Sequence, residues 1–306
     1  MYKMDHMLVC LDLSEMDEAL IRYADFLVKE IRPASVTFLH VIKSYDIPKE
    51  IIDDYPHLDL PLTEIVKEEL LEKTGTLFSQ KSETDSRIIV KEGLTTDTIV
   101  RFTRENNVTF TLMGKKVGYE GKGSIVKKVI GIIPSSVLII SETTHHRIKK
   151  LMVRMDFTGM SAMAMKMALS LRKKTGAEIS CHHVYKLPLN YFQQGSPEKD
   201  ARLLEHVKKH SLKEYKKFLK HYDLESGDIS CTSSVDPEND EANILYREAL
   251  SAGADMILIG SRVKSELASI IIDSTSEKLA EAEKNIPVFI VKDRKKSMGF
   301  LKALFK

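Results

Sequence analysis

The stretch from Gly114 to Ser124 reads GKKVGYEGKGS and gathers residue types suited to holding an anion. Gly114, Gly118, Gly121 and Gly123 precede a run with helical periodicity from Ser124 to Ile132. A glycine-rich turn before a helix exposes backbone N–H groups, and the helix dipole adds attraction, so phosphate is the ligand chemistry this pattern fits. Lys115, Lys116 and Lys122 add charge that can screen a triphosphate, while Ser124 can cap its helix and donate to a phosphate oxygen. Glycines equally serve tight turns and close packing with no ligand, so both readings stay open. Asp12 ends an apolar run and carries two readings as well: a ligand contact, or a cap for the next helix. In the second reading Asp17 completes a capping-box-like pattern, with Ser14 a better cap than Asp12.

These residues need elements to position them, and the chain supplies the same set twice. MLVCLD ending at Asp12 and LMVRMD ending at Asp156 are apolar runs closing on aspartate, followed by amphipathic stretches at Glu15 to Lys29 and Ser161 to Lys174. VTFLHV ending at Val41 is matched by ISCHHV ending at Val184, FTLMG ending at Gly114 by MILIG ending at Gly260, and VLII from Val137 by VFIV from Val288. Between them lie helix-period stretches at Leu62 to Leu77, Asp97 to Glu105, Ala201 to His221 and Glu241 to Leu250. Short β-rich runs occupy Arg87 to Val90 and Asp228 to Thr232. Each half reads βαβαβαβαβ, and the strands are apolar throughout. The expected fold class is therefore α/β: two tandem doubly wound domains, each with a parallel sheet covered on both faces. In such sheets ligands bind beyond the carboxyl ends of the strands, which selects Asp12, Val41 and the Gly114 stretch.

The bulk numbers exclude several function classes. At 306 residues, with 43% hydrophobic and 29% charged residues, the chain reads as soluble, globular and two-domain. A formal charge of +2 is too small to drive general nucleic-acid binding. Cys10, Cys181 and Cys231 lie far apart, with no disulfide framework and no zinc pattern, which fits a reducing, cytoplasmic setting. The start lacks a secretory apolar region, and no apolar run approaches the roughly 20 residues needed to span a bilayer. No P-loop, no nucleophile elbow and no H-E-x-x-H motif is present, so no catalytic residue is assigned. Adjacent residues on a strand face opposite ways, so neither His145-His146 nor His182-His183 can clamp one metal, and His40 and His183 read as packed strand histidines. The lysine-rich run Lys208 to Lys220 reads as a solvated helix face. The tail from Lys295 to Lys306 reads as a basic amphipathic helix, for which packing on protein is expected over contact with a membrane surface.

Strand-ending Asp12, LHV at Leu39 to Val41, Gly93 and the glycine-rich LMG loop together resemble the universal stress protein family. Asp156, HHV at His182 to Val184 and LIG at Leu258 to Gly260 resemble the second copy of its tandem, two-domain members. The resemblance implies the five-stranded, adenine nucleotide α-hydrolase-like fold. The expected domains are 1–143 and 144–294, with a tail at 295–306. It also implies ATP, with magnesium, as ligand: aspartate and valine on the adenosine, and a G-x2-G-x9-G-[ST] loop on ribose and phosphates. This chain departs from that loop. In the first half Val117 takes the second glycine position beside Gly118, and Gly123-Ser124 arrives about four residues early. In the second half Val263 and Asp273 replace two glycines, leaving Gly260 and Ser274. The nucleotide site is thus expected in domain 1, at Asp12, Val41, Gly114, Lys115, Lys116, Gly118, Gly123 and Ser124. A degenerate counterpart is expected at Asp156, Val184, Gly260 and Ser274, where a different ligand near Arg154 and His182 stays open. The expected function is a cytoplasmic stress-response protein that binds an adenine nucleotide and regulates rather than catalyses. Weak ATP hydrolysis stays open, as does a nucleotide-free scaffold. The resemblance further implies a pseudo-dimer of the two domains, with antiparallel contact of the closing strands as one way to form it, and a homodimer open.

Overall fold

The structure, a computed structural model, describes residues 3–43, 62–115, 125–186, 197–224, 229–236, 238–261, 274–281 and 285–293. The chain divides into two compact units, Lys3–His146 and Arg147–Asp293. The first contains β1 (His6–Leu11), α1 (Met16–Ile31), β2 (Ser35–Ile42), α2 (Leu62–Leu77), β3 (Asp85–Glu92), α3 (Thr95–Glu105), β4 (Phe110–Lys115), α4 (Ile125–Ile132) and β5 (Ser136–Ser141). Its strands lie in the order β3-β2-β1-β4-β5 and all pair in parallel.

The second unit repeats the plan. It contains β6 (Lys150–Arg154), α5 (Gly159–Thr175), β7 (Glu178–Lys186), α6 (Pro197–His221), β8 (Ser230–Asp236), α7 (Glu241–Ser251), β9 (Met256–Gly260), α8 (Ser274–Glu281) and β10 (Val288–Val291). The order is β8-β7-β6-β9-β10, again parallel. Both units are the doubly wound α/β fold that the repeated apolar strands predict. Among the described residues, no helix is long and apolar enough to cross a membrane.

Helices cover both faces of each sheet, so the inner strands have nowhere to place a polar side chain cheaply. β5, β9 and β10 are buried at every position, and β2 at every position after its first. The edge strands β3 and β8 behave differently, because each is paired along one side only. Their residues are mostly half-exposed, and they run on through Lys91 and Glu92, or through Ser233 and Ser234. The β-rich runs at Arg87 to Val90 and Asp228 to Thr232 therefore overlap only parts of the edge strands, with Asp228 outside the described residues. β3 stays in register with all eight residues of β2.

The thiols are free, and β8 pairing brings Cys181 and Cys231 to the same register position on neighbouring strands. Burial pushes the Cys10 and Cys231 thiols up to about 12, which keeps both protonated and unreactive at neutral pH.

The first helix of each unit begins with a turn that crosses close to the end of the fourth strand. A β-carbon on Gly114 would stand 2.4 Å from the Met16 side chain at the start of α1. On Gly260 it would stand 2.2 Å from the backbone carbonyl oxygen of Met160 at the start of α5. Both glycines are required by packing, but the obstacle is a flexible side chain in one unit and a helix backbone in the other. Gly260→Ala should therefore cost about 3 kcal/mol, the upper end of the overpacking range, and Gly114→Ala about 1 kcal/mol. Urea unfolding of the two variants checks this, and equal losses would contradict the packing account.

Candidate functional site

In each unit the chain leaves the first strand toward one face of the sheet and the fourth strand toward the other, so a crevice opens between their carboxyl ends. The first strand stands beside the second in register, Leu11 against His40 and Arg154 against His182. Asp12, Val41 and Gly114–Lys115 are thus brought to the mouth of the first sheet, and Asp156, Val184 and Gly260 to that of the second. Val41 and Val184 are 9% and 6% exposed, so both are nearly buried at that end. Ser274 is exposed at the start of α8. Lys116, Gly118, Gly123 and Ser124 lie outside the described residues, as do Val263, Asp273 and the tail.

The loop after the first strand has one design in both units. Leu13 and Phe157 sit at φ 61° and 58°, the left-handed region, directly after the aspartate. Asp12 Oδ1 accepts the Ser14 amide at 3.2 Å and the Ser14 hydroxyl, and Asp156 Oδ1 accepts the Thr158 amide at 3.0 Å and its hydroxyl at 2.6 Å. Each aspartate closes its own turn, as Asx residues do. A histidine holds the carbonyl just before the aspartate: His40 Nδ1 donates to Leu11 at 2.9 Å, and His183 Nδ1 to Met155 at 2.7 Å. These are the packed strand histidines expected from sequence, with the added task of pinning the loop.

The residue five positions after each aspartate differs, and with it the electrostatics. Asp17 is fully buried, and its carboxylate accepts the Asp12 amide at 2.9 Å and the Leu13 amide at 3.0 Å. Burial raises the Asp17 pKa, against the opposing pull of the Asp12 amide and of Lys73, whose Nζ lies 3.7 Å away. The expected Ser14 cap is therefore corrected: the Ser14 hydroxyl is turned to Asp12, the N-cap position of α1 falls on Glu15 without a side-chain bond, and Asp17 serves the loop amides. In the second unit Ser161 takes this place, accepting the Asp156 amide at 2.9 Å and donating to Asp156 Oδ1. There Thr158 caps α5 through the Met160 amide at 3.3 Å.

A larger contrast comes from Arg154, the last residue of β6, whose counterpart by the repeat is Cys10. Arg154 grips Glu241 with two nitrogens, at 2.5 and 3.1 Å, and Asp156 with a third at 3.1 Å. Glu241 also accepts from Thr275 at 3.0 Å and faces Lys186 at 3.6 Å. The Arg154 and Glu241 side chains are only 11% and 6% exposed. Burial raises the Asp156 pKa, but the Arg154 charge and the Ser161 and Thr158 donors outweigh it and hold the carboxyl below its ordinary 3.8. The contribution of Asp156 to stability is thus complete above that value and lost as pH falls through the depressed pKa. A salt-bridged network fills the wall of the second mouth, while Asp12 at the first is solvent-exposed. Among the described residues, no group of three or more His, Cys, Asp or Glu is placed to hold a metal ion.

Comparison with known proteins gives the same two-fold division. The sequence model of the Universal stress protein family matches residues 3–141 and again 147–292. Among solved structures, a universal stress protein from Archaeoglobus fulgidus DSM 4304 is similar at a TM-score of 0.61 and 21% identity, covering 95% of this chain and 99% of its own. A protein from Pseudomonas aeruginosa UCBPP-PA14, described as a putative universal stress protein, is similar at 0.64 and 12% identity, covering 99% and 98%. A functionally unknown protein from Pseudomonas aeruginosa PAO1 is similar at 0.61 and 13%, covering 98% and 96%. No curated protein matches the chain.

Glu241→Leu leaves the Arg154 guanidinium buried beside one carboxylate instead of two, at a predicted cost of about 3–5 kcal/mol. The double variant Arg154→Met/Glu241→Leu removes both charges and should regain most of that loss. Thermal and urea unfolding of the two variants decide the matter, and a double variant no more stable than the single one would contradict it.

Proposed function

The chain belongs to the universal stress protein family, and from that premise we propose that it binds an adenine nucleotide in the crevice of its first unit and acts by binding rather than by catalysis. The observation that carries this reading is the difference between the two mouths. In the first, an exposed carboxylate at Asp12, the apolar Val41 and the end of β4 surround a crevice where the repeat sets Cys10 in the place of Arg154. In the second, Asp156 is engaged by Arg154 and hydroxyl donors, so the group that would meet adenosine is already held by an arginine.

ATP with magnesium is the expected ligand. Its base and ribose would lie against Asp12 and Val41, with phosphates toward Lys115 and the lysine- and glycine-rich residues that follow. On this reading hydrolysis, where it occurs, would be slow and bound nucleotide would act on conformation or partner choice. The second unit would serve as the degenerate half.

A nucleotide-free scaffold is the second reading, and one observation favours it. Gly114 is required by the Met16 contact whether or not phosphate is present, so that glycine is not evidence for a ligand.

Titration calorimetry with ATP and magnesium separates the two. The first reading expects one equivalent bound by the wild type and binding lost in Asp12→Ala and Gly123→Val, with both variants retaining the wild-type circular dichroism. No heat and no thermal shift at millimolar ATP would sink it and leave the scaffold.

A further inference from the structure

A second place in the molecule gathers carboxylates around a cavity. Beyond the carboxyl end of the edge strand β8, a cavity of about 480 Å³ opens between that strand and the first turns of α7. Ser234, Asp236, Glu238, Asp240, Arg247 and Glu248 supply its polar wall, with Val235 and Ile244 as apolar surface. Four carboxylates face one guanidinium, so the wall carries a net negative charge.

Asp236 is the centre of the case. It is 1% exposed, and its Oδ1 accepts the amides of Glu238 at 3.2 Å and Asp240 at 2.9 Å, which fixes the turn leading into α7. Its Oδ2 is equally buried and accepts no hydrogen bond among the described residues. A buried carboxylate oxygen without a donor is costly and calls for a donor from outside the chain. Of the other carboxylates, Asp240 lies 3.8 Å from Lys278 and Glu248 accepts from the Ser234 hydroxyl at 3.1 Å. No ion pair among the described residues reaches Asp236, Glu238 or Glu248.

The spacing of these groups selects the ligand. Among the described residues no three such groups converge closely enough for a metal ion, so a single point of charge is not what the wall is shaped for. The carboxylates share the lining of a cavity of small-molecule size with the apolar Val235 and Ile244. That arrangement fits a flexible chain carrying an ammonium at each end and methylenes between. We propose that this cavity binds a linear di- or polyamine, with one ammonium donating to Asp236 Oδ2 and another to the carboxylate of Glu248. The cavity lies at the edge strand, away from the crevice between β6 and β9 and in the other unit from the proposed nucleotide site, so the two assignments stand or fall separately.

The test uses the full chain without nucleotide, titrated calorimetrically with putrescine, spermidine and, separately, magnesium. Asp236→Asn keeps an oxygen on the two loop amides and sets an amide NH₂ in place of the bare oxygen, so the turn survives while the ammonium site is reversed. The expected result is one equivalent of spermidine bound by the wild type. In Asp236→Asn binding should weaken at least about tenfold, the scale of one lost charge-assisted hydrogen bond. Glu248→Gln, which leaves the turn untouched, should also weaken it, and this arm decides the question if Asp236→Asn fails to fold. Absence of binding at millimolar amine, undiminished binding in both variants, or equal binding of magnesium would overturn the proposal.

Discussion

In each half the first helix settles directly against the end of the fourth strand, an approach that the missing side chain at that strand end favours, and it fixes the loop at one side of the crevice. Gly114 and Gly260 are those points, since a β-carbon added to either would fall within 2.4 Å of the helix start. Once the helix is seated, the loop leading to it has little freedom. It turns through one left-handed residue, its aspartate closes the turn, and a strand histidine secures the carbonyl before it. The position of the aspartate at the mouth thus follows from packing several residues away.

On this shared frame the two halves diverge in charge rather than in shape. The first keeps a buried aspartate, Asp17, under the loop and leaves Asp12 facing solvent. The second places an arginine at the end of β6 and a glutamate at the start of α7, which join in a bidentate pair. Glu241 lies in the first turn of its helix, where the dipole favours a negative charge, and it ties β6, β7, α7 and α8 together. Such a network rigidifies a mouth and commits its polar groups to one another. On the proposed reading, one half is thereby suited to an outside ligand and the other to holding the fold.

Much of this architecture is legible in the sequence because each signal is local. The period of Leu62–Leu77 marks α2 at the bounds observed, and the repeated apolar runs ending at Asp12 and Asp156 mark the two first strands. The edge strands are read short because their pairing rests on backbone hydrogen bonds that polar residues such as Ser233 and Ser234 make equally well. Two features of the site are not legible. Asp17 looks like part of a capping box with Ser14, and only the left-handed Leu13 turns its carboxylate back to the loop amides. Arg154 and Glu241 are 87 residues apart, and nothing in the chain links them until the sheet order sets β6 between β7 and β9, both packed by α7. The arginine in a strand otherwise apolar, LMVRM, is the available signal, since a charge there requires a partner.

On the proposed reading the two crevices are not equivalent, and the first is the one that takes nucleotide. Amide hydrogen exchange of the full chain, with and without ATP and magnesium, reads both crevices in one experiment. The account predicts added protection at the loop from Asp12 to Glu15 and at the end of β4 around Gly114, with the loop from Asp156 to Thr158 unchanged. Protection at Asp156 to Thr158 and Gly260, with none at Asp12, would contradict it.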